Sequence, residues 1–375
     1  MRVMVAGGGT GGHFYPGLAI LEGLRERDPD VRAAYVGTRS GIEAHTLLVH
    51  PWIRFHPIHV RGFTRRGVLG NLWTLFLLAV GLLETLLIFA RFRPQIVIGV
   101  GGYSSFPPVF LGAVLGRPFG VRTVIHEQNV VAGRANRWLS RLVDLVMVSF
   151  RQTERSFPRA RRLIVTGNPV REEFLHVKRS DRLYREFSLD PKRRTILVFG
   201  GSKGSAEITE QILASMDDIG ANDGLQVLLI AGSDRAAEAI REELNASAIG
   251  NIMVEPYVER MGAAFAIADL VVCRAGATSL AEIMACGKAS LLIPWREAAD
   301  DHQWENARRL QSEGACALVG GEGIVERNLV RVIASLIRDE LALERLAGNA
   351  GRLGQRGAKA QILGEIQSMM RGARA

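Results

Sequence analysis

At 375 residues, with 47 % hydrophobic and 23 % charged side chains, the chain can build two domains with separate cores and is not biased towards disorder. Lysine and arginine outnumber aspartate and glutamate by 47 to 38, a formal charge of +9, which suits nucleic acid, anionic lipid or a phosphorylated substrate. The arginines are scattered and no RNA-binding signature accompanies them, so no nucleic-acid partner is expected.

Taken in chain order, Arg2 to Ala6 reads as a short apolar strand running straight from the first residues, with none of the features of a signal peptide. Gly7-Gly8-Gly9-Thr10-Gly11-Gly12-His13 follows, and a helix is predicted from about Pro16 to Arg27. Gly7, Gly9 and Gly12 satisfy G-x-G-x-x-G, but the next strand, Val31 to Val36, ends in Gly37-Thr38 without the acid that would hold an adenosine ribose. The loop therefore reads as a phosphate cradle carrying a reactive side chain, His13, a candidate general base near neutral pH. Further strands are predicted at Gln95 to Ile98, Val121 to Ile125, Asp144 to Val148 and Arg162 to Val165, each followed by a helical pattern, so the sheet should be parallel.

Between these strands lies Val68 to Ala90, the most apolar segment. It is long enough for a membrane span. On a helical wheel Asn71, Thr74, Gly81 and Thr85 share one narrow arc, and Glu84 lies outside it, which argues against burial in lipid. A crossover helix is required at this place in a parallel sheet. The flanking Arg61, Arg65, Arg66, Arg91 and Arg93 favour a patch lying on an anionic membrane surface. Gly99 to Ser105 (GVGGYSS) is a second anion-nest candidate. The cluster His126-Glu127-Gln128-Asn129 directly follows an apolar strand, with Asn129 suited to sugar hydroxyls and Glu127 to orienting a base.

Thr166-Gly167-Asn168-Pro169-Val170-Arg171 breaks the rhythm and marks a domain boundary. A second alternating series has strands at Thr195 to Phe199, Leu225 to Ile230, Asn251 to Val254, Asp269 to Cys273 and Ala289 to Ile293. It opens on Gly200-Gly201-Ser202-Lys203-Gly204, an echo of the first loop. The richest stretch is Cys273 to Asn306. A strand enters the turn Arg274-Ala275-Gly276, and a helix is predicted from Thr278 or Ser279 to Cys286-Gly287. A further strand then ends at Pro294 before Asp300, Asp301, His302 and Gln303. A helix N-terminus for phosphate, Glu282 for a diol and amides for a polar head suit a nucleotide sugar. Metal dependence is not expected: Asp28-Pro29-Asp30 precedes a strand, and Asp217-Asp218 and Asp300-Asp301 lack further ligands. Cys273, Cys286 and Cys316 have no metal-ligand spacing and read as reduced thiols of a cytoplasmic protein. A last helical pattern, Asp339 to Met370, is polar and basic enough to lie on the surface.

The motifs GGGTGGHFYPGLAI, GVGGYSS, HEQNVVAGRANR, TGNPVR, GGSKGS, CRAGATSLAEIMACGKASLLIPW and DDHQWENA, in this order, resemble those of the peptidoglycan-forming N-acetylglucosaminyltransferases of glycosyltransferase family 28. The resemblance spans about residues 1 to 340. It implies the GT-B fold, α/β, with two Rossmann-like domains facing a cleft. Residues 1–170 would bind acceptor and membrane, 171–340 the UDP-sugar, and 341–375 would form a helical tail. The implied reaction moves N-acetylglucosamine from its UDP donor to the 4-hydroxyl of a lipid-linked muramyl-pentapeptide, with inversion, at the cytoplasmic face of the inner membrane and without a cofactor. The resemblance sets His13 as base, near the reacting sugars with Thr10, Gly11 and Gly12. Glu127 and Asn129 would flank the transferred sugar, Arg171 would sit at the cleft, and Tyr103 with Gly101 and Gly102 would hold the acceptor. Ser202 would meet donor phosphate, the Val258 backbone the uracil, and Ala277, Thr278, Ser279, Leu280, Ala281 and Glu282 phosphate and ribose. Gln303 and His302 would touch the sugar. A UDP-N-acetylglucosamine 2-epimerase of the same fold is the alternative. Lys203, where glutamine is frequent, and the very apolar Val68 to Ala90 depart from the family pattern.

Overall fold

The computed structural model describes residues 1–62, 68–201, 204–214, 219, 223–320 and 329–371, with backbone alone at 68–70, 299 and 330. Two compact units result, Met1–Val170 with Gly357–Ala375, and Arg171–Arg356. Among the described residues the first unit holds a seven-stranded parallel sheet in the order β3-β2-β1-β4-β5-β6-β7. Its strands are β1 (Arg2–Ala6), β2 (Arg32–Gly37), β3 (Ile53–Pro57), β4 (Ile96–Gly99), β5 (Arg122–Glu127), β6 (Leu145–Val148) and β7 (Leu163–Val165). Alternate residues feed the two faces: Val3 and Val5 join one apolar cluster, Met4 and Ala6 the other. Burial on both faces is what makes these strands nearly continuous hydrophobic runs.

The second unit has a six-stranded parallel sheet, β10-β9-β8-β11-β12-β13. Its strands are β8 (Arg194–Phe199), β9 (Leu225–Ile230), β10 (Ile252–Glu255), β11 (Leu270–Cys273), β12 (Ser290–Leu292) and β13 (Ala317–Leu318). Both sheets grow outwards in opposite directions from a central pair, β1/β4 and β8/β11. Ligands of such sheets sit at the carboxyl ends beside that reversal. β3 and β13 escape sequence reading because the first interleaves Arg54 and His56 with its apolar residues and the second has only two residues.

Six helices matter below: α1 (Gly11–Arg27), α2 (Val68–Phe92), α3 (Ala277–Cys286), α4 (His302–Ser312), α5 (Glu340–Leu353) and α6 (Ala358–Arg371). α1 begins well before the predicted Pro16, because Gly11 and Gly12, poor helix formers, make its first turn. α3 starts at Ala277 after Gly276, so the expected cap at Thr278 or Ser279 is corrected to Gly276. Its end at Gly287, in the left-handed region at φ 61°, is as predicted. The predicted terminal tail is two helices in different units: α5 stays in the second and α6 belongs to the first. The surface placement of α6 is also corrected. Ile362, Leu363 and Ile366 are spaced to form one face and are fully buried in the first core. α6 lies close against α1, where a side chain at Gly23 would collide with Lys359 and Leu363.

Candidate active site

In the first unit the loops after β1, β4 and β5 meet. Gly7, Gly8 and Gly9 all have positive φ, yet the loop is not the expected phosphate cradle. The buried carboxylate of Glu43 lies beneath it. Oε2 accepts from the Gly9 amide at 2.9 Å, and Oε1 accepts from the amide and hydroxyl of Thr38 at 2.8 and 3.1 Å. A side chain at Gly8 would run into this carboxylate. A loop seated on a negative group, with an amide already donated to it, is a poor cradle for another anion. What the loop does deliver is the first turn of α1, Gly11, Gly12 and His13, with exposed Thr10 at its N-cap.

His13 stands against the loop after β4. Gly101, at φ 93°, has room only for hydrogen there, since a Cβ would lie 2.6 Å from His13 Nδ1. Gly102, at φ 80°, likewise abuts the carbonyl of Gly8. Tyr103 opens the short turn that follows and is exposed, its ring lying on Gly62. Thus Gly101 and Gly102 act as spacers that let two loops touch, a closer description than an anion nest.

The expectation that Glu127 orients the base is corrected. Its buried carboxylate is occupied by its own loop: Oε1 accepts from the backbone and side chain of Asn129 at 3.0 and 3.1 Å, and Oε2 from Gly133 N at 3.0 Å and Asn136 Nδ2 at 2.8 Å. Glu127 therefore shapes the segment 129–136 and sets the position of Asn129. Gln128 does reach His13, its Oε1 lying 3.2 Å from Nδ1.

In the second unit the carboxyl ends of β8, β11 and β12 meet around Arg274. Its guanidinium donates to the carbonyls of Ile293 and Pro294 at 3.1 and 3.3 Å, to Ser205 Oγ at 3.0 Å, and pairs with Glu207. One side chain thus ties three strand ends together. Asn306 of α4 adds a bond from Nδ2 to the Ala275 carbonyl at 3.2 Å. α3 leaves this junction with Ala277 and Thr278 buried and Ser279 partly exposed on its first turn, followed by buried Leu280, Ala281 and Glu282. Glu282 Oε1 accepts from Arg171 Nη2 at 3.3 Å, and Arg171 also meets Glu173 at 2.9 Å and stacks on Phe174. Burial pushes the Glu282 carboxyl up to about 7, against the opposing pull of Arg171.

Asp300 and Asp301 both lie in the left-handed region, at φ 52° and 53°, immediately before α4. Non-glycine residues pay for that conformation, and two in succession turn the chain so that His302 and Gln303 start α4. Gln303 Oε1 accepts from the Trp295 amide at 3.0 Å. Val258 is buried after β10. Ser202 and Lys203, like Arg65, Arg66, Asp217 and Asp218, lie outside the described residues. Among the described residues no three His, Cys, Asp or Glu side chains converge as a metal site. Burial pushes the thiols of Cys286 and Cys316 up to about 12 and that of Cys273 higher, which makes all three poor nucleophiles. Gln128, Arg274 and Asn306 stand in stretches that the sequence marks, but it gives none of them a role; Glu43 stands in no marked motif.

Two Rossmann-like units, each with a built junction at the reversal point of a parallel sheet, define the GT-B class of glycosyltransferases. Residues 3–148 match the glycosyltransferase family 28 N-terminal domain and residues 195–362 its C-terminal domain. A relative from Lactiplantibacillus plantarum, named UDP-N-acetylglucosamine–N-acetylmuramyl-(pentapeptide) pyrophosphoryl-undecaprenol N-acetylglucosamine transferase, is 36 % identical over 372 residues, covering 99 % of this chain and all of the relative. The Acinetobacter baumannii MurG crystal structure superposes with a TM-score of 0.70 at 26 % identity, over 98 % of this chain and 99 % of that one. A putative UDP-N-acetylglucosamine 2-epimerase from Listeria monocytogenes shares the fold, with a TM-score of 0.68 at 14 % identity over 99 % and 96 % of the chains. The chain belongs to glycosyltransferase family 28.

Proposed function

We propose that this chain transfers N-acetylglucosamine from UDP-N-acetylglucosamine to the 4-hydroxyl of a lipid-linked N-acetylmuramyl-pentapeptide, with inversion and without a metal ion. What carries the reading is likeness over the whole length, both units included, to enzymes named for that transfer. In the reaction the acceptor hydroxyl attacks the anomeric carbon, His13 takes its proton, and the bond to UDP breaks. Charge gathering on the departing diphosphate is met by the N-terminal amides of α3, at Ala277 to Ser279, where the helix dipole is positive. Glu282, steadied by Arg171, accepts from the ribose hydroxyls, the Val258 backbone meets uracil, and Ser202 a phosphate. Gln303 turns its amide hydrogens to the sugar, its oxygen being engaged by Trp295, and His302 adds a second contact. Tyr103 with Gly101 and Gly102, and Thr10 with Gly11, Gly12 and Asn129, frame the acceptor and the transferred sugar. The expected product is a β-linked disaccharide whose rate of formation is unchanged in excess EDTA; an α linkage, or loss of activity restored by a divalent cation, contradicts the mechanism.

We further propose that the first unit lies on an anionic membrane surface at the cytoplasmic face. α2 is inside out for a protein in water. Thr74, Gly81 and Thr85 are buried, while Leu72, Trp73, Leu75, Phe76, Leu83, Leu86 and Leu87 are 46 to 64 % exposed. Leu77 is partly buried. The inward arc is small because a Cβ at Gly81 would meet Val60 and the His59 carbonyl. Asn71–Phe92 has the length and mean hydropathy, 2.2, of a membrane span. Against spanning, Glu84 binds His59 through both oxygens, at 2.7 and 2.6 Å, and α2 joins β3 to β4 of one sheet. An apolar face of this extent beside Arg61, Arg91 and Arg93 fits interfacial binding. Anionic vesicles are expected to bind the protein, less so with added salt and less so after Leu83→Ser with Leu87→Ser. Binding indifferent to both would remove the patch, and a protease-protected fragment containing α2 would make it a span.

A further inference from the structure

Gln128 is fully buried between the loops after β1, β4 and β5, and its orientation is determined by its neighbours. Nε2 donates to the Val100 carbonyl at 3.0 Å, and the carbonyl and Nδ1 of His126 lie 3.1 and 3.0 Å from it. Carbonyl oxygens only accept, so the amide nitrogen must face them. The amide oxygen is thereby turned to His13, 3.2 Å from Nδ1, and it too can only accept. Nδ1 of His13 then carries the hydrogen, and in the neutral ring the lone pair belongs to Nε2. The far end of the chain is consistent. His126 Nε2 donates to the Gly167 carbonyl at 2.8 Å, which makes its Nδ1 the acceptor for Gln128. Burial lowers the His126 pKa, so the ring stays neutral in this arrangement.

We propose that Gln128 is the positioning residue of the reaction, holding His13 as the Nδ1–H tautomer so that Nε2 receives the proton of the acceptor hydroxyl. The proposal rests on the reading of His13 as base and adds what sets its reactive nitrogen. A free histidine in water prefers hydrogen on Nε2, so without Gln128 the ring would hold its hydrogen where the base is needed. A carboxylate is the more familiar partner for a catalytic imidazole. Here Glu127, which precedes Gln128 in the chain, is consumed by its own loop, and an uncharged amide takes the place.

The test uses the full chain labelled with 15N-histidine and no substrate. Two-bond proton–nitrogen correlation spectra are recorded above neutral pH, with the His13 signals identified by their loss in His13→Ala. The expected pattern is Nδ1 protonated and Nε2 bare; the opposite pattern or an even mixture overturns the proposal. In Gln128→Met, similar in length and without an amide oxygen, the signals should move towards the Nε2–H form. kcat should fall about tenfold or more with the donor KM within about twofold. Unchanged kcat in a folded Gln128→Met overturns the positioning role, and should that variant fail to fold, the wild-type spectrum decides. Because the spectrum needs no turnover, its failure is distinct from a failure of the transferase reading.

Discussion

Replacing His13 by alanine is expected to lower kcat by about a hundred- to ten-thousand-fold, the range for a lost general base. UDP affinity should stay close to that of the wild type, because the groups assigned to the nucleotide are all in the second unit. The structure narrows what a milder result would mean. Glu127 cannot stand in, since four N–H donors already occupy its two oxygens. A variant keeping more than a tenth of the wild-type kcat would therefore take the proton transfer away from this loop cluster altogether. Measuring kcat at saturating donor together with UDP binding by calorimetry separates a lost base from a lost site.

Replacing Glu282 by alanine is expected to raise the donor KM by tenfold or more with the protein still folded, since each charge-assisted bond to a ribose hydroxyl is worth about 1.5–3 kcal/mol at most. A donor KM within twofold of the wild type rules the contact out. The carboxyl also predicts a pH dependence. Its native value of about 7 is raised above the ordinary 4.5, so the protonated form is favoured on folding. The stability this contributes is complete below about 4.5 and is lost as pH rises through about 7. Ribose hydroxyls instead need the ionised form as acceptor. Donor affinity should accordingly improve as pH climbs through 7, with Arg171 favouring that ionisation and Glu173 opposing it. In Glu282→Gln the slope should vanish, and a slope that persists would assign it to another group.

Much of the frame was legible because it is local. Strand, turn and helix follow one another within Cys273 to Asn306, and apolar runs alternating with helices are enough to predict two parallel sheets. What stayed hidden depends on partners far along the chain. Gln128 reads as one polar residue of four until its contact with His13, 115 positions away, is seen. Glu43 sits in an unremarkable short helix, yet it reaches 34 positions back to Gly9 and turns an apparent phosphate loop into a rigid support for α1. Arg274 reads as a turn residue and proves to be the tie between three strand ends. The inward arc of α2 was visible on a wheel, but only the packing of Gly81 against His59 and Val60 explains why the small side faces the protein.

The most direct test of the transferase reading follows labelled N-acetylglucosamine from its UDP donor. With a lipid-linked muramyl-pentapeptide present, label should pass into a lipid-extractable product and UDP should appear in equal amount; without it, the donor should stay intact. Label remaining on the nucleotide while the sugar turns into its 2-epimer, with no need for the lipid, would contradict the account and give the chain to the epimerases that share its fold.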